Sequence, residues 1–136
     1  MRENKLKHLE FIQGVVNRLS TNSFLLKGWS VALVSALFVL SSKDSRPEFL
    51  FLTYIPAIIF WGLDGYCLWQ ERLYRKLYQF VRVMPDKEVD FCMSTKKILT
   101  GKHPTWVNAT FSKTLIAFHG ALLLAIVVVM FLGLAR

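Results

Sequence analysis

Residues 49–84 read FLFLTYIPAIIFWGLDGYCLWQERLYRKLYQFVRVM, and the rest of the chain is interpreted around them. Residues 49–69 are almost wholly apolar, and a helix of about 20 such residues crosses a bilayer core. Residues 71–84 are basic and amphipathic, and neither Gly nor Pro interrupts the chain from Tyr66 to Met84. We therefore predict one long helix that leaves the membrane and continues into water.

The composition supports a membrane protein of one domain. The chain has 136 residues, 54% of them hydrophobic, and a formal net charge of +8. This hydrophobic share exceeds the roughly 45–50% that is usual in soluble proteins, and it is concentrated in three blocks. We therefore attribute the basic charge to an anionic membrane face rather than to a nucleic acid, and the expected partner is the lipid bilayer.

The apolar blocks predict an all-α fold with three transmembrane helices. Helical periodicity predicts an amphipathic helix before the first span, and the second span continues as a helical extension in water. The predicted segments are the amphipathic helix at 3–22, span 1 at 24–41, span 2 at 49–70, the extension at 71–84, a polar loop at 85–111 and span 3 at 115–134.

The amphipathic segment at 3–22 is too polar to span a bilayer. One placement is on the membrane surface, and the other is against the extension at 71–84. The residues at 20–23 read STNS, which are favoured helix caps, so we expect the helix to break there.

Basic residues predict the orientation, because they are enriched on the cytoplasmic side. Residues 1–27 hold five Lys or Arg, and residues 71–113 hold nine. The loop at 42–48 holds two, and the carboxyl terminus holds Arg136. With three spans, this is fourteen against three. We expect a multi-pass protein of the inner membrane with a cytoplasmic amino terminus and an external carboxyl terminus.

Each predicted span carries one titratable side chain at a similar depth. Lys27 lies near the start of span 1, Asp64 within span 2 and His119 about one turn into span 3. A lone carboxylate in a bilayer costs about 2.5–3.5 kcal/mol on insertion scales, so it should face protein or water. We predict an intramembrane polar cluster of these three. It either lines a water-filled path and gates it, or it is a structural pairing.

Two features predict contacts between helices. Small residues at spacing four let helices approach closely, and apolar residues at spacings of four, three and four form a heptad-like seam on the extension. The seam could pack on the chain's own amino-terminal helix, on a second copy or on a soluble cytoplasmic protein; we expect a homo-oligomer. The small stripes are Gly28, Ala32 and Ala36 in span 1 and Ala117, Ala121 and Ala125 in span 3, and the seam is Leu73, Leu77, Phe80 and Met84.

The sequence contains no pattern that predicts enzymatic chemistry. Gly101 and Lys102 lack the other residues of a phosphate-binding loop. His8, His103 and His119 are far apart, and no His, Cys or acidic residues stand at metal-ligand spacing. We expect no catalytic activity, no cofactor and no metal.

Six stretches of the sequence carry a resemblance to known proteins. They are LKHLEFIQ at 6–13, NSFLLKGW at 22–29, YIP at 54–56, FWGLDGY at 60–66, QERLYRKLY at 70–78 and DFCM at 90–93. Together they resemble a group of small uncharacterised bacterial multi-pass membrane proteins, in which a Ser would be expected in place of Cys92. The group has no established activity. Proteins of this build resemble membrane effectors of bacterial anti-phage systems, which damage the inner membrane when a partner signals infection.

Two functions follow as expectations. The first is an oligomeric inner-membrane effector that disrupts the membrane or forms a pore, in which the polar cluster takes part. The alternative is a membrane anchor or regulatory subunit that docks a soluble partner through residues 71–113.

Overall fold

The computed structural model describes residues 2–44 and 48–134, and within them every regular element is a helix. The α-helices are α1 (Arg2–Asp44), α2 (Glu48–Leu52), α3 (Tyr54–Val83), α4 (Trp106–Thr110) and α5 (Lys113–Leu134), with short 3-10 turns at Asp86–Glu88 and Lys96–Ile98. The predicted loop at 42–48 lies partly outside the described residues, and Arg136 lies wholly outside them.

The three apolar blocks lie in helices that are long and apolar enough to cross a membrane. These helices cover Arg2–Lys43, Glu48–Val83 and Lys113–Gly133. The predicted all-helical architecture with three candidate spans is therefore confirmed. Helix α3 is central, because it packs against both α1 and α5.

Helix α1 is continuous, so the predicted break at residues 20–23 is wrong. It runs for 43 residues, or about 65 Å at ~1.5 Å per residue. The hydroxyl of Thr21 donates to the carbonyl of Asn17 at 3.0 Å. A hydroxyl satisfied one turn back within a helix does not cap a new one. The segment at 3–22 and span 1 at 24–41 are thus two parts of one helix.

Helix α3 starts after a break in the second apolar block. Pro56 lacks the N–H that would bond to the carbonyl of Leu52, and its ring crowds that carbonyl. The chain turns at Thr53, whose hydroxyl donates to the carbonyl of Leu50. From Tyr54 the helix runs without interruption to Val83, so most of the second apolar block and residues 71–83 lie in one helix.

The predicted loop at 85–111 contains the short helix α4, which a turn separates from α5. Thr105 caps α4 by accepting a hydrogen bond from the backbone N–H of Asn108 at 3.2 Å. The indole of Trp61 then donates to the carbonyl of Thr110 at 2.8 Å. A continuous helix would use that carbonyl for the N–H of Thr114, so this contact accompanies the turn that separates α4 from α5.

Two hydrophobic clusters join the helices. The first, here called the span core, consists of Val34 of α1, Ala57 of α3 and Ile126 of α5. The second, here called the extension core, joins the amino-terminal part of α1 to the end of α3 and the segment that follows. Its members are Leu9, Ile12, Leu73, Leu77, Val81, Val89 and Ile98. The sequence leaves two placements open for residues 3–22. In the structure these residues pack against the extension.

The two stripes of small residues face outward, so they do not pack against each other within the chain. All six residues are exposed, and no atom of another described segment lies within 4 Å of a Cβ added at Gly28. The inward face of α1 instead carries Lys27, Ser30 and Val34. Lys27 must face the carboxylate of Asp64, and this turns Gly28 about 100° away from it on the helix. A role for the stripes between copies stays a prediction.

Candidate functional site

Asp64 lies at the centre of a polar cluster that joins three helices. Its side chain is fully buried on α3. Lys27 of α1 places Nζ 2.6 Å from Oδ2, and His119 of α5 places Nε2 2.8 Å from the same oxygen. The sequence grouped these three titratable residues because they lie at similar depth in the predicted spans, and the structure places them in contact. Each comes from a different helix.

Ser23 completes this cluster, and sequence reasoning did not assign it there. Its hydroxyl donates to Oδ1 of Asp64 and accepts from Nζ of Lys27 at 2.8 Å. Ser23 lies four residues before Lys27, on the same face of α1, so the spacing was the available signal. The expected helix break at this position hid it. Ser23, Lys27, Asp64 and His119 are called the Asp64 cluster below.

The cluster balances a buried charge. Ionised Asp64 and Lys27 cancel, and both carboxylate oxygens accept hydrogen bonds. A carboxylate only accepts, so Nε2 of His119 carries the hydrogen, and in the neutral ring Nδ1 is an acceptor. Nδ1 is buried and has no hydrogen-bond partner in the described part of the chain. A charge change in any one member would therefore leave a buried polar group without compensation.

Aromatic rings enclose the cluster. The Trp61 ring stacks on His119, with centroids 5.7 Å apart and planes at 6°. Phe118 meets the same imidazole edge-on at 5.0 Å, and Nζ of Lys27 lies 5.9 Å from the centroid of Phe118. The rings pack on the imidazole and cover this side of the cluster, where Asp64 is fully buried and the Lys27 side chain is 23% exposed. A buried ion pair is stronger in such surroundings than in water.

Helix α4 is held against α3 beside the cluster. Besides the Trp61 contact, the indole of Trp106 donates to the carbonyl of Gly62 at 3.1 Å. A Cβ added at Gly65 would lie 3.0 Å from Cα of Thr110, so only glycine permits this approach. The sequence shows Gly62 and Gly65 on either side of Asp64. It does not show that α4 would lie against them.

The predicted seam on the extension has a partner within the chain. Leu73 and Leu77 are each 2% exposed and pack with Leu9 and Ile12 of α1 in the extension core. Met84 is partly buried against the same core. Phe80 takes no part in this packing within the chain, because it is 41% exposed and Val81 occupies the inward position; its role between copies or toward a partner stays a prediction. The packed face follows spacings of four and four through Leu73, Leu77 and Val81, which is the face of α3 that α1 covers.

Polar contacts fasten the segment after α3. Nζ of Lys5 donates to the carbonyl of Met84 at 2.6 Å and lies 3.3 Å from Oδ1 of Asp86. The indole of Trp69 donates to the carbonyl of Pro104 at 2.9 Å. The amino-terminal part of α1, the end of α3 and this segment therefore form one packed unit.

Within residues 2–44 and 48–134, no group of three or more His, Cys, Asp or Glu residues is placed to hold a metal ion. The Asp64 cluster offers one carboxylate and one imidazole, and an ammonium group already occupies the carboxylate. Comparison with protein-family models, curated proteins and solved structures finds no match to this chain.

Proposed function

We propose that this chain is an oligomeric effector of the inner membrane that disrupts the bilayer or forms a pore, without enzymatic activity. The Asp64 cluster acts as the lock of its closed arrangement. One observation carries the proposal: a fully buried carboxylate of α3 is bound at once by Lys27 of α1 and His119 of α5. Three helices are thereby tied at a single charged point.

A charged lock suits a protein that switches. Contacts between apolar side chains change gradually as helices slide. A buried ion pair is either satisfied or strongly unfavourable, and breaking one costs about 3–5 kcal/mol. A signal that separates Lys27 from Asp64 would therefore favour a different packing of the spans. Membrane charges that pair with one another commonly mark functional sites.

Two continuous helices connect the lock to the outside of the membrane. Helix α1 carries both Ile12 of the extension core and Lys27 of the lock, and α3 carries both Leu73 and Asp64. Asp64 and Leu73 are separated by about 13 Å along α3. Movement of the packed unit outside the membrane would thus shift the lock directly. The unit is the natural receiver of an activating signal.

The outward stripes supply surfaces for assembly. Gly28, Ala32 and Ala36 on α1, like the three alanines on α5, are exposed in the single chain. Small residues at this spacing allow close contact between helices of neighbouring copies. The charge count favours a cytoplasmic amino terminus, and the anti-phage setting rests on the resemblance of the build.

A second candidate function is favoured by apolar side chains on the outer face of the extension. Phe80 and Val83 are 41% and 74% exposed near the end of α3, where the helix lies beyond the apolar block. A soluble partner would cover them, and the chain would then serve as a membrane anchor or regulatory subunit that holds it through residues 71–113.

Membrane potential tests the first function. Wild type, Asp64→Asn and Lys27→Met are induced in a bacterial host at matched membrane levels, and a potential-sensitive dye is followed. A lock predicts that both single variants depolarise the cell more than wild type does. Arg75→Gln is the matched control, because it removes an ion pair with Glu71 at 3.0 Å outside the cluster. Equal dye signals from wild type, both cluster variants and the control would contradict the lock.

Co-purification tests the second function. Phe80→Ser and Val83→Ser should release a soluble protein that wild type retains, while Leu63→Ser, an exposed apolar position within the apolar block, should not. Retention by all variants would contradict docking at this face.

A further inference from the structure

A cavity of about 600 Å³ lies on the amino-terminal side of the Asp64 cluster, between the amino-terminal part of α1 and the segment that follows α3. Its volume is within the range of about 300–1,000 Å³ that small-molecule sites occupy. Because the extension core packs both walls, the cavity belongs to the folded unit outside the apolar blocks. It plays no part in the function proposed above.

The cavity is cationic and aromatic. Lys7 and Arg18 both line it from α1, and their positions are about 16 Å apart along the helix. Phe11 lies between them, and Phe91 and Met93 line it from the opposite segment. None of the described lining residues is acidic. Such a site attracts an anion and also offers apolar surface to the rest of the ligand.

His8 provides a buried polar group at this cavity. It lines the cavity and is only 3% exposed. Its Nε2 has no hydrogen-bond partner among the described residues. A buried polar atom without a partner is unfavourable, and a ligand oxygen would satisfy it. The imidazole also meets the ring of Phe91 edge-on at 5.6 Å.

Phe91 is held in an unusual backbone conformation at the cavity wall. Its φ is 58°, in the left-handed region that a bulky residue seldom adopts. Asp90 supports the turn, because its Oδ1 accepts from the backbone N–H of Cys92 at 3.2 Å and its other oxygen pairs with Lys97. Strained residues that the surroundings hold in place cluster at ligand sites. Here the strain places an aromatic ring against His8.

We propose that this cavity binds a phosphate ester with an apolar or aromatic body. The phosphate lies between Lys7 and Nε2 of His8, because cationic and N–H donors form strong hydrogen bonds to phosphate oxygens. The body lies against Phe11, Phe91 and Met93. Arg18 closes the end nearer the apolar block, about 13 Å before Lys27 along α1. Two sources carry this chemistry: an anionic phospholipid and a soluble phosphate ester.

The test uses the full chain in nanodiscs and has two arms. In the lipid arm, native mass spectrometry counts phosphatidylglycerol retained by protein transferred from discs of phosphatidylcholine with and without phosphatidylglycerol. In the soluble arm, calorimetry in phosphatidylcholine discs measures binding of adenosine monophosphate and of inorganic phosphate. We expect saturable binding of one ligand per chain in one arm, with inorganic phosphate weaker because it lacks the apolar body.

Variants of the lining residues test whether any binding that is measured takes place in this cavity. Lys7→Gln and Phe11→Ala are the main variants, since both side chains are exposed and their loss leaves the fold intact. We expect about tenfold weaker binding from Lys7→Gln, the factor that one charge-assisted hydrogen bond supplies. Lys87→Gln is the matched control, because it removes the same charge from an exposed position outside the cavity. Absence of saturable binding in both arms, or an equal loss in the control, would overturn the proposal.

Discussion

Helices α1 and α3 meet at the extension core and at the Asp64 cluster, among other places, and different forces hold them at these two levels. At the extension core, Leu9 and Ile12 pack against Leu73 and Leu77, all of them apolar. At the Asp64 cluster, an ion pair and hydrogen bonds make the contact. Between the two levels the same pair of helices changes from hydrophobic packing to charge pairing.

We attribute the difference to the solvent that the proposed function gives each level, which is water at the extension core and the bilayer at the Asp64 cluster. In water, burying leucine and isoleucine side chains removes apolar surface from the solvent, which drives packing. In a bilayer, lipid tails are as apolar as leucine, so that drive is absent and helices associate by close packing and polar contacts. The span core accordingly has three small or medium buried members, Val34, Ala57 and Ile126. The Asp64 cluster adds polar contacts between the same three helices.

The largest effect should come from breaking the charged level. Asp64→Ala removes the carboxylate and leaves Lys27 without its counter-ion, so we expect a loss of about 3–5 kcal/mol in the free energy of unfolding. Equilibrium unfolding in detergent micelles measures it. The double variant Asp64→Ala with Lys27→Met should recover much of the loss, because no unpaired charge remains. An equally unstable double variant would contradict the charge explanation.

A smaller loss should follow from truncation of the hydrophobic level. Leu77→Ala removes a side chain that is 2% exposed, and such changes cost about 2–5 kcal/mol, here taken as about 3 kcal/mol. Phe80→Ala is the control one turn away, and its outward position predicts little change. The free energy of unfolding of each variant is measured from its equilibrium unfolding curve and compared with that of wild type. A loss for Phe80→Ala that matched Leu77→Ala would show that the covered face of α3 is misassigned.

The third prediction tests the close approach of α4 to α3 beside the Asp64 cluster. Gly65→Ala places a Cβ 3.0 Å from Cα of Thr110, and relieving such crowding costs about 1–3 kcal/mol. Trp106 should lose its contact with Gly62, which tryptophan emission reports. Gly28→Ala is the control, since its added Cβ meets no other described segment within 4 Å. Unchanged emission from Gly65→Ala would contradict the placement of α4.

The smallest effect concerns a charge pair outside both levels. The hydrogen bond from the Lys97 ammonium, aided by the backbone N–H of Cys92, lowers the pKa of Asp90. A carboxyl whose pKa is lower in the folded than in the unfolded chain stabilises above the unfolded pKa, and this contribution is lost as pH falls through the folded value. Both groups are exposed, so solvent screens the pair.

Acid titration of unfolding should therefore show a slight loss of stability below about pH 4. Asp90→Asn should flatten that part of the curve and leave the curve above it nearly parallel to wild type. A steep acid transition that persists in Asp90→Asn would assign the acid sensitivity to other carboxyls.

The sequence by itself determined the number of apolar helices and which titratable side chain each of them carries. Hydropathy is a local sum over about 20 residues, and depth along a helix follows from counting residues. These properties need no knowledge of neighbours. They were enough to group Lys27, Asp64 and His119, and to foresee that α3 continues past its apolar block.

Only the tertiary structure decided which face of each helix is covered. The rotation of a helix about its own axis depends on the helix it packs against. In α1, Lys27 faces the carboxylate of Asp64, and Gly28 therefore faces outward. Phe80 is likewise an outward residue because of its neighbours: α1 covers the face of α3 that carries Leu73, Leu77 and Val81. Ser23 was missed for a related reason. Its place in the cluster exists only because α1 does not break where local cap propensity predicts that it should.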